Sequence, residues 1–437
     1  MNVRESQYNY MMQDASGMVI YNSISDRIVV LLPELAEIYN EKKQALLELK
    51  ELHPQFYDYL VQNGFIVRDD GDEFKEFLRQ KEDSQKKTYS LIINPTLNCN
   101  MRCWYCYENH GLKSKMDDSV KEAVFGLLEK IGRNECIEQL YVSFFGGEPL
   151  LFFDKIVMPI IKKASVICNE QKKKLEIHFT TNAFLLTEDK LNQLKIFEPS
   201  FQITFDGNEN AHNAVRQTVD GRPSYQVIMN HIRKAVSMGL HVGVRFNYTH
   251  RNYPTFEDVL QEFSQWPKAY KEKIIFTFQR VWQDDKGNNP DVHRKIVEME
   301  NQFETKGLRF ESIDQGYIST CYADKANSAV VNYNGELYKC TARDFTSENS
   351  EGVLRSDGEL IWNEKYEKRK SVLYGNAICQ KCRAYPICHG GCSQMKLENP
   401  VQNSCPKGHT AADVEEMLKK RATFLLKKVL RRKEENG

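Results

Sequence analysis

The sequence has no apolar run long enough to cross a membrane and no excess of either charge. Lys and Arg number 60, and so do Asp and Glu, so the formal net charge is zero. A chain balanced in this way is not built for nucleic acid or for an acidic membrane surface, and neither is expected as a partner. The N-terminal stretch MNVRESQYNYMMQ lacks the apolar core of a signal peptide. A cytoplasmic location is therefore expected. In a reducing compartment disulfides do not persist, so clustered cysteines read as metal or redox ligands. A hydrophobic content of 41% and a charged content of 27% are those of a globular protein, and 437 residues allow two or three domains.

Against this background the chain carries 12 cysteines. Cys99, Cys103 and Cys106 form a C-x3-C-x2-C run within NPTLNCNMRCWYCYE. Cys379, Cys382, Cys388 and Cys392 form a C-x2-C-x5-C-x3-C run, with Cys405 further on. Thiolates this close in sequence can wrap zinc, copper(I) or an iron–sulfur cluster. A structural zinc site uses four protein ligands, whereas three thiolates leave a metal position open for a substrate or cofactor. Cys136 and Cys168 belong to no motif and are expected to be ordinary buried thiols.

The chain reads as three domains. Residues 1–85 hold a hairpin around Asn22–Asp26, a helix from Pro33 to about Lys50, a second over Gln55–Gln62 and a short strand at Phe65–Val67. This is a winged-helix-like module, and the polar run Lys81–Lys87 is read as the linker that follows it. Over residues 88–310, candidate strands (YSLIINP, EQLYVSFFG, LEIHFTTN, FQITFD, HVGVRFNYT, KIIFTFQ) alternate with helical patterns such as Ser119–Ile131 and Tyr225–Met238. Alternation of this kind implies βαβ units, an α/β fold and a partial (β/α)6, TIM-like barrel with its chemistry at the C-terminal ends of the strands. Arg245 and Asn247, on the fifth strand, are expected to point into that barrel. Residues 316–437 are cysteine-rich and poor in long apolar runs, so metal staples are expected there. The final stretch, Ala411–Lys433, reads as an amphipathic helix whose basic end, residues 431–433, is a solvated face.

The C-x3-C-x2-C loop, with Tyr105 before its last cysteine, resembles the cluster loop of radical S-adenosylmethionine (SAM) enzymes. The resemblance implies that Cys99, Cys103 and Cys106 hold a [4Fe–4S] cluster whose open iron binds SAM. Gly146-Gly147-Glu148-Pro149 after the second strand is similar to the family's GGEP segment, which binds the SAM amine. Thr181-Asn182 at the end of the third strand is similar to the segment near the SAM ribose. Asp206-Gly207 ends the fourth strand, in TFDG, and Arg216 beyond it is a candidate for the SAM carboxylate because a guanidinium fork matches a carboxylate. His212 reads as a structural loop residue. Further on, Cys321, Gly335-x4-Cys340, Cys379, Cys382, Cys388, Cys392 and Cys405 resemble the seven-cysteine pattern of a SPASM domain. That resemblance implies two auxiliary [4Fe–4S] clusters, one on Cys379, Cys382, Cys388 and Cys405 and the other on Cys321, Cys340 and Cys392. A zinc ribbon would use four of these cysteines and leave the others unexplained.

The resemblance spans about residues 88–410 and implies a SAM-dependent enzyme of the oxidoreductase type with three [4Fe–4S] clusters. Relatives of this architecture modify ribosomally made peptides, often with a winged-helix element that grips the leader of the precursor. The expected partners are then a precursor peptide and an electron donor such as flavodoxin or ferredoxin. The expected reaction is hydrogen abstraction leading to a thioether or carbon–carbon crosslink. The alternative is an anaerobic sulfatase-maturating enzyme that forms formylglycine on a protein. That family places an aspartate directly after the Gx4C cysteine. Here Thr341 follows Cys340 and the nearest acid is Asp344, the candidate catalytic base.

Overall fold

The computed structural model describes residues 2–14, 17–111, 113–311, 320–374, 376–401 and 403–436, with side chains as far as residue 430. The basic cluster at 431–433 and the domain boundary read at 316 therefore lie outside what is described. The chain divides into two units. One comprises Met1–Gln85, Ile313–Lys325 and Glu367–Gly437, the other Lys86–Ser312 and Ala326–Tyr366.

In the first unit β1 (Val3–Glu5) pairs antiparallel with a later strand, and β2 (Asn9–Asp14), β3 (Gly17–Asn22) and β4 (Arg27–Leu31) form a three-stranded antiparallel sheet. Helices Pro33–Lys42, Leu46–Leu52 and Pro54–Gln62 follow, and β5 (Ile66–Arg68) returns to β1. One continuous helix from Pro33 to Lys50 is thus replaced by two. At 1.5 Å per residue such a helix would run about 27 Å, overshooting a five-residue strand of about 17 Å. The break keeps Tyr39, Leu46 and Leu49 on one core with Ile20, Leu31, Phe56 and Leu60. Tyr10 and Tyr21 join a second cluster with Leu418 and Ala422 of the helix Ala411–Asn436 and with Ala384 and Ile387. Arg421 closes that contact, its Nε donating to Asp26 at 2.9 Å.

The polar run read as a linker belongs to a helix, Glu73–Lys86. Phe74, Phe77 and Leu78 recur at helical spacing and pack on one cluster, where Phe74 and Phe77 meet the Tyr385 ring edge-on at 5.1 and 6.3 Å. On the outer face Arg79 pairs with Glu76 and Asp83. The charges that looked like a linker are the solvated side of an amphipathic helix.

The second unit is built on β6 (Thr88–Ile93), β7 (Gln139–Phe144), β8 (Lys174–Thr181), β9 (Ser200–Phe205), β10 (His241–Tyr248) and β11 (Ile274–Arg280). These six strands are parallel and ordered β11-β10-β9-β8-β7-β6, as expected for βαβ units. The sheet then continues beyond the expected six. β12 (Ser328–Val331) adds parallel to β6, and β13 (Glu336–Tyr338), β14 (Gly352–Leu354) and β15 (Leu360–Trp362) extend it antiparallel.

The two faces of this sheet differ in chemistry. One carries Phe144, Phe179, Phe201, Phe246 and Phe276, stacked across strands at 5.1 to 5.5 Å and buried with the helices. The other carries His178, Thr180, Gln202, Thr204, Arg245, Asn247, Thr277 and Gln279. Period-2 alternation puts Arg245 and Asn247 on this polar face.

Two outcomes follow. Phe74→Ala should cost about 3 kcal/mol and speed amide exchange along 73–81 in the first unit, whereas a true linker would exchange fast already. Burial holds the His178 imidazole down at about 4, from an ordinary 6.5. Between those pH values the unfolded chain binds the extra proton, so stability falls as pH drops from 6.5 towards 4. The lost contribution is about 3 kcal/mol. Urea midpoints of His178→Gln should show a correspondingly smaller acid sensitivity over this window.

Candidate active site

Four loops leave the C-terminal ends of β6 to β9, and buried hydrogen bonds tie them together. The Glu148 carboxylate is fully buried. Its Oε1 accepts from Leu150 N at 3.0 Å and Thr181 Oγ1 at 2.7 Å, and its Oε2 accepts from Asn182 N at 2.9 Å. Asn182 Nδ2 in turn donates to Asn100 Oδ1 at 2.7 Å and approaches Cys99 Sγ at 3.7 Å. The GGEP turn, the Thr181-Asn182 segment and the cysteine loop are thus one braced structure. Burial pushes the Glu148 carboxyl up, and the bonds from Thr181, Asn182 and Leu150 oppose it.

The two glycines allow close approach. Gly146 has φ +92°, and a Cβ there would strike the Thr96 carbonyl; one on Gly147 would strike those of Leu97 and Asn98. Gly147 N donates to Thr96 O at 3.2 Å and Glu148 N to Asn98 O at 2.9 Å. Pro149 is buried and opens a short 3-10 turn.

A second network surrounds Tyr105. Its hydroxyl donates to Asp206 Oδ2 at 2.8 Å and accepts from Arg216 Nη2 at 3.0 Å and Asn247 Nδ2 at 3.2 Å. Arg216 Nε also donates to Asp206. The Asp206–Arg216 ion pair is buried, with Arg216 7% exposed. Burial raises the Asp206 carboxyl, and the Arg216 charge opposes that. His212 is buried, accepts from Asp206 N through Nδ1 at 3.4 Å and meets Ser224 Oγ at 3.1 Å, a structural role as expected.

Cys99 and Cys103 are half-buried and Cys106 is exposed at the residue level. Burial pushes the Cys99 thiol up to about 12 and Cys106 to about 11, and each feels the charge of the neighbouring thiols. Met101 N lies 3.4 Å from Cys99 Sγ. Among the described residues no three His, Cys, Asp or Glu side chains are drawn tightly enough to hold a single metal ion. The donor set nevertheless fits a cluster with bound SAM. The thiols are soft ligands within range of one another. Beside them Asn98 Oδ1 and Asn100 Nδ2 are buried polar atoms with no partner, the kind of group a ligand satisfies.

In the first unit Cys379, Cys382, Cys388 and Cys405 are also within range of each other's charge, and burial pushes Cys379 up to about 11. Lys396 is buried beside them, its Nζ donating to Leu373 O at 3.0 Å. Cys321 and Cys392 belong to this unit and Cys340 to the other. Cys168 is buried as expected. Cys136 is exposed, because it sits in the turn between a helix and β7.

Asp344 is half-buried and its Oδ1 accepts from Asn109 N at 3.0 Å, just past the cysteine loop. Sequence reasoning overlooked its neighbour Glu108, whose carboxyl is raised to about 8 by burial and then by the Asp344 charge. It also overlooked Asn98 and Asn100. Their position flanking Cys99 is the only signal they carry.

The Radical SAM superfamily profile matches residues 93–263. A cysteine-type anaerobic sulfatase-maturating enzyme of Clostridium novyi is 23% identical over 351 residues, covering 72% of this chain and 90% of the relative. The radical SAM cyclopropyl synthase TigE of Paramaledivibacter caminithermalis is 22% identical over 400 residues, covering 82% and 79%. The structure of Streptococcus suis SuiB bound to precursor peptide SuiA shares the fold with a TM-score of 0.53 at 15% identity, covering 92% of this chain and 99% of that one.

Glu148→Ala would leave the N–H groups of Leu150 and Asn182 buried without acceptors. We expect a loss of about 3 kcal/mol in denaturant unfolding and faster exchange of the Asn182 amide. An unchanged Asn182 exchange rate would contradict the brace.

Proposed function

The chain belongs to the radical SAM superfamily, and we propose that within it the protein is a peptide maturase. The buried link from Glu148 through Asn182 and Asn100 to Cys99, with two unpartnered amide atoms beside it, supports the cofactor chemistry, and the likeness to a cyclopropyl synthase and to a peptide-bound structure supports the peptide substrate. A [4Fe–4S] cluster with bound SAM, once reduced by one electron, supplies a 5′-deoxyadenosyl radical that abstracts hydrogen from a bound substrate. Cys99, Cys103 and Cys106 would hold the cluster. The turn at Gly146 and Gly147 would hold the SAM amine, and Glu148 keeps that turn in place. Thr181 and Asn182 would hold the ribose. The Tyr105–Asp206–Arg216 network orients the cysteine loop, and Arg216 offers its charge to the SAM carboxylate. The radical chemistry belongs to the cofactor, and the protein's part is to position it and the substrate.

Cys379, Cys382, Cys388 and Cys405 are proposed to hold one auxiliary [4Fe–4S] cluster, and Cys321, Cys340 and Cys392 another. Clusters held there would supply an electron acceptor or a site for a substrate thiolate; the proposed product is a thioether or carbon–carbon crosslink, and the proposed reductant is an external flavodoxin or ferredoxin. The N-terminal sheet and helices, winged-helix-like in their order, are proposed to grip the leader of a precursor peptide by strand addition at a sheet edge. The likeness to TigE and to peptide-bound SuiB supports a peptide substrate.

The sulfatase-maturating reading is favoured by three sulfatase-maturating relatives and by an acid near the cysteine loop. In either reading Asp344 is the proposed proton acceptor.

Iron and sulfide counts after anaerobic reconstitution, with a SAM cleavage assay under dithionite, test the proposal. Three clusters predict about 12 irons per chain and formation of 5′-deoxyadenosine. Cys99→Ala should keep about 8 irons and abolish cleavage. About four irons in the wild type, or zinc on the C-terminal cysteines, would replace the auxiliary clusters by a structural metal. Retained cleavage in Cys99→Ala would remove the site assignment.

A further inference from the structure

Among the described residues Arg245 has no carboxylate within ion-pair distance. It lies on the polar face of β10, in register with Thr204 on β9 and Thr277 on β11. Its Nε donates to Asn247 Oδ1 at 3.0 Å. Among the described residues no acceptor lies within bonding distance of Nη1 or Nη2, and no carboxylate lies within ion-pair distance. A guanidinium has five N–H donors in a planar fork, so four are left for something else.

The neighbouring charges do not compensate it. Asp206 is the acid within electrostatic range, and its carboxylate is already engaged by Arg216 and Tyr105. Burial lowers the Arg245 pKa, and the Arg216 charge adds to that. An uncompensated, partly desolvated charge lowers stability. On a solvated outer surface this would be unremarkable. Here its bonding partner Asn247 also donates to the Tyr105 hydroxyl of the cysteine loop, at the end of the sheet where the site is built.

We propose that Arg245 is a substrate-recognition residue whose free guanidinium edge binds a carboxylate, that of an Asp or Glu side chain in the peptide. The inference rests on the peptide-maturase reading of the same site. The other possible source is the carboxylate of SAM. Its amine is assigned to the Gly146–Glu148 turn after β7, three strands from β10. At about 4.8 Å per strand the two backbones lie roughly 14 Å apart along the sheet, whereas the amine and carboxylate of methionine share one carbon atom. The SAM carboxylate also has a nearer candidate in Arg216. The peptide is therefore the assigned source. A bidentate pair at this position would fix which stretch of the peptide faces the cysteine loop.

The test uses the full-length, reconstituted protein and three probes: SAM, acetyl-Gly-Asp-Gly-amide and acetyl-Gly-Asn-Gly-amide. Binding is measured by titration to wild type, Arg245→Gln and Arg245→Lys, with iron content and circular dichroism confirming that each variant folds. The expected result is that wild type prefers the Asp peptide by about tenfold. That preference should vanish in Arg245→Gln and return in part in Arg245→Lys, with SAM affinity unchanged throughout. A preference that survives Arg245→Gln, or none in the wild type, overturns the proposal. A loss of SAM affinity of about tenfold or more in Arg245→Gln, with no effect on the peptides, overturns the peptide source and gives the carboxylate to SAM. Failure of the maturase reading shows separately, as missing iron or missing SAM cleavage in the wild type. The Asp-to-Asn ratio reports on Arg245 alone.

Discussion

A carboxylate with no exposed surface must find donors on every side, and Glu148 takes its donors from two separate loops. Leu150 belongs to its own turn, while Thr181 and Asn182 close the next strand. Each of those N–H and O–H groups would be unsatisfied without it, and its own burial would be unaffordable without them. The consequence reaches further, because Asn182 also holds Asn100 next to Cys99. The positions of the glycine turn and the first cysteine are therefore coupled through one buried group. Side chains that must present a cluster and a cofactor together gain from such coupling, since small misplacements are costly in rate.

The Tyr105 network does the corresponding work on the other side of the cysteine loop. A buried ion pair by itself is weak evidence of stability. Here Asp206 and Arg216 share the Tyr105 hydroxyl, which leaves each polar group partnered. Arg245, two residues before Asn247 on the same strand face, is the exception. Arg216 is anchored by Asp206 and Tyr105, whereas the guanidinium of Arg245 makes a single bond, to Asn247.

The sheet supports both networks because its two faces are chemically opposite. Stacked phenylalanines hold one face to the helices. The other is free to carry polar groups towards the strand ends. Fully buried parallel strands read as continuous apolar runs. The alternation in HVGVRFNY instead marks a sheet with one face against helices and one lining a polar interior.

The sequence by itself determined the motif loops, the six alternating strand–helix units and the cysteine spacings, because each is encoded locally, by turn residues, periodicity or position in a motif. Local pattern also misled where charge was concentrated. The run read as a linker is helical as far as Lys86, because Phe74 and Phe77 find Tyr385, more than 300 residues away in the chain. Only the tertiary structure decided that Met1–Gln85 packs in one unit with Glu367–Gly437, and that Ala326–Tyr366 extends the parallel sheet of the other. It alone decided that Glu148 is a brace, that Arg216 is paired and that Arg245 is not. These depend on which groups meet after folding, and hydrogen-bond partners distant in sequence leave no periodic trace in it.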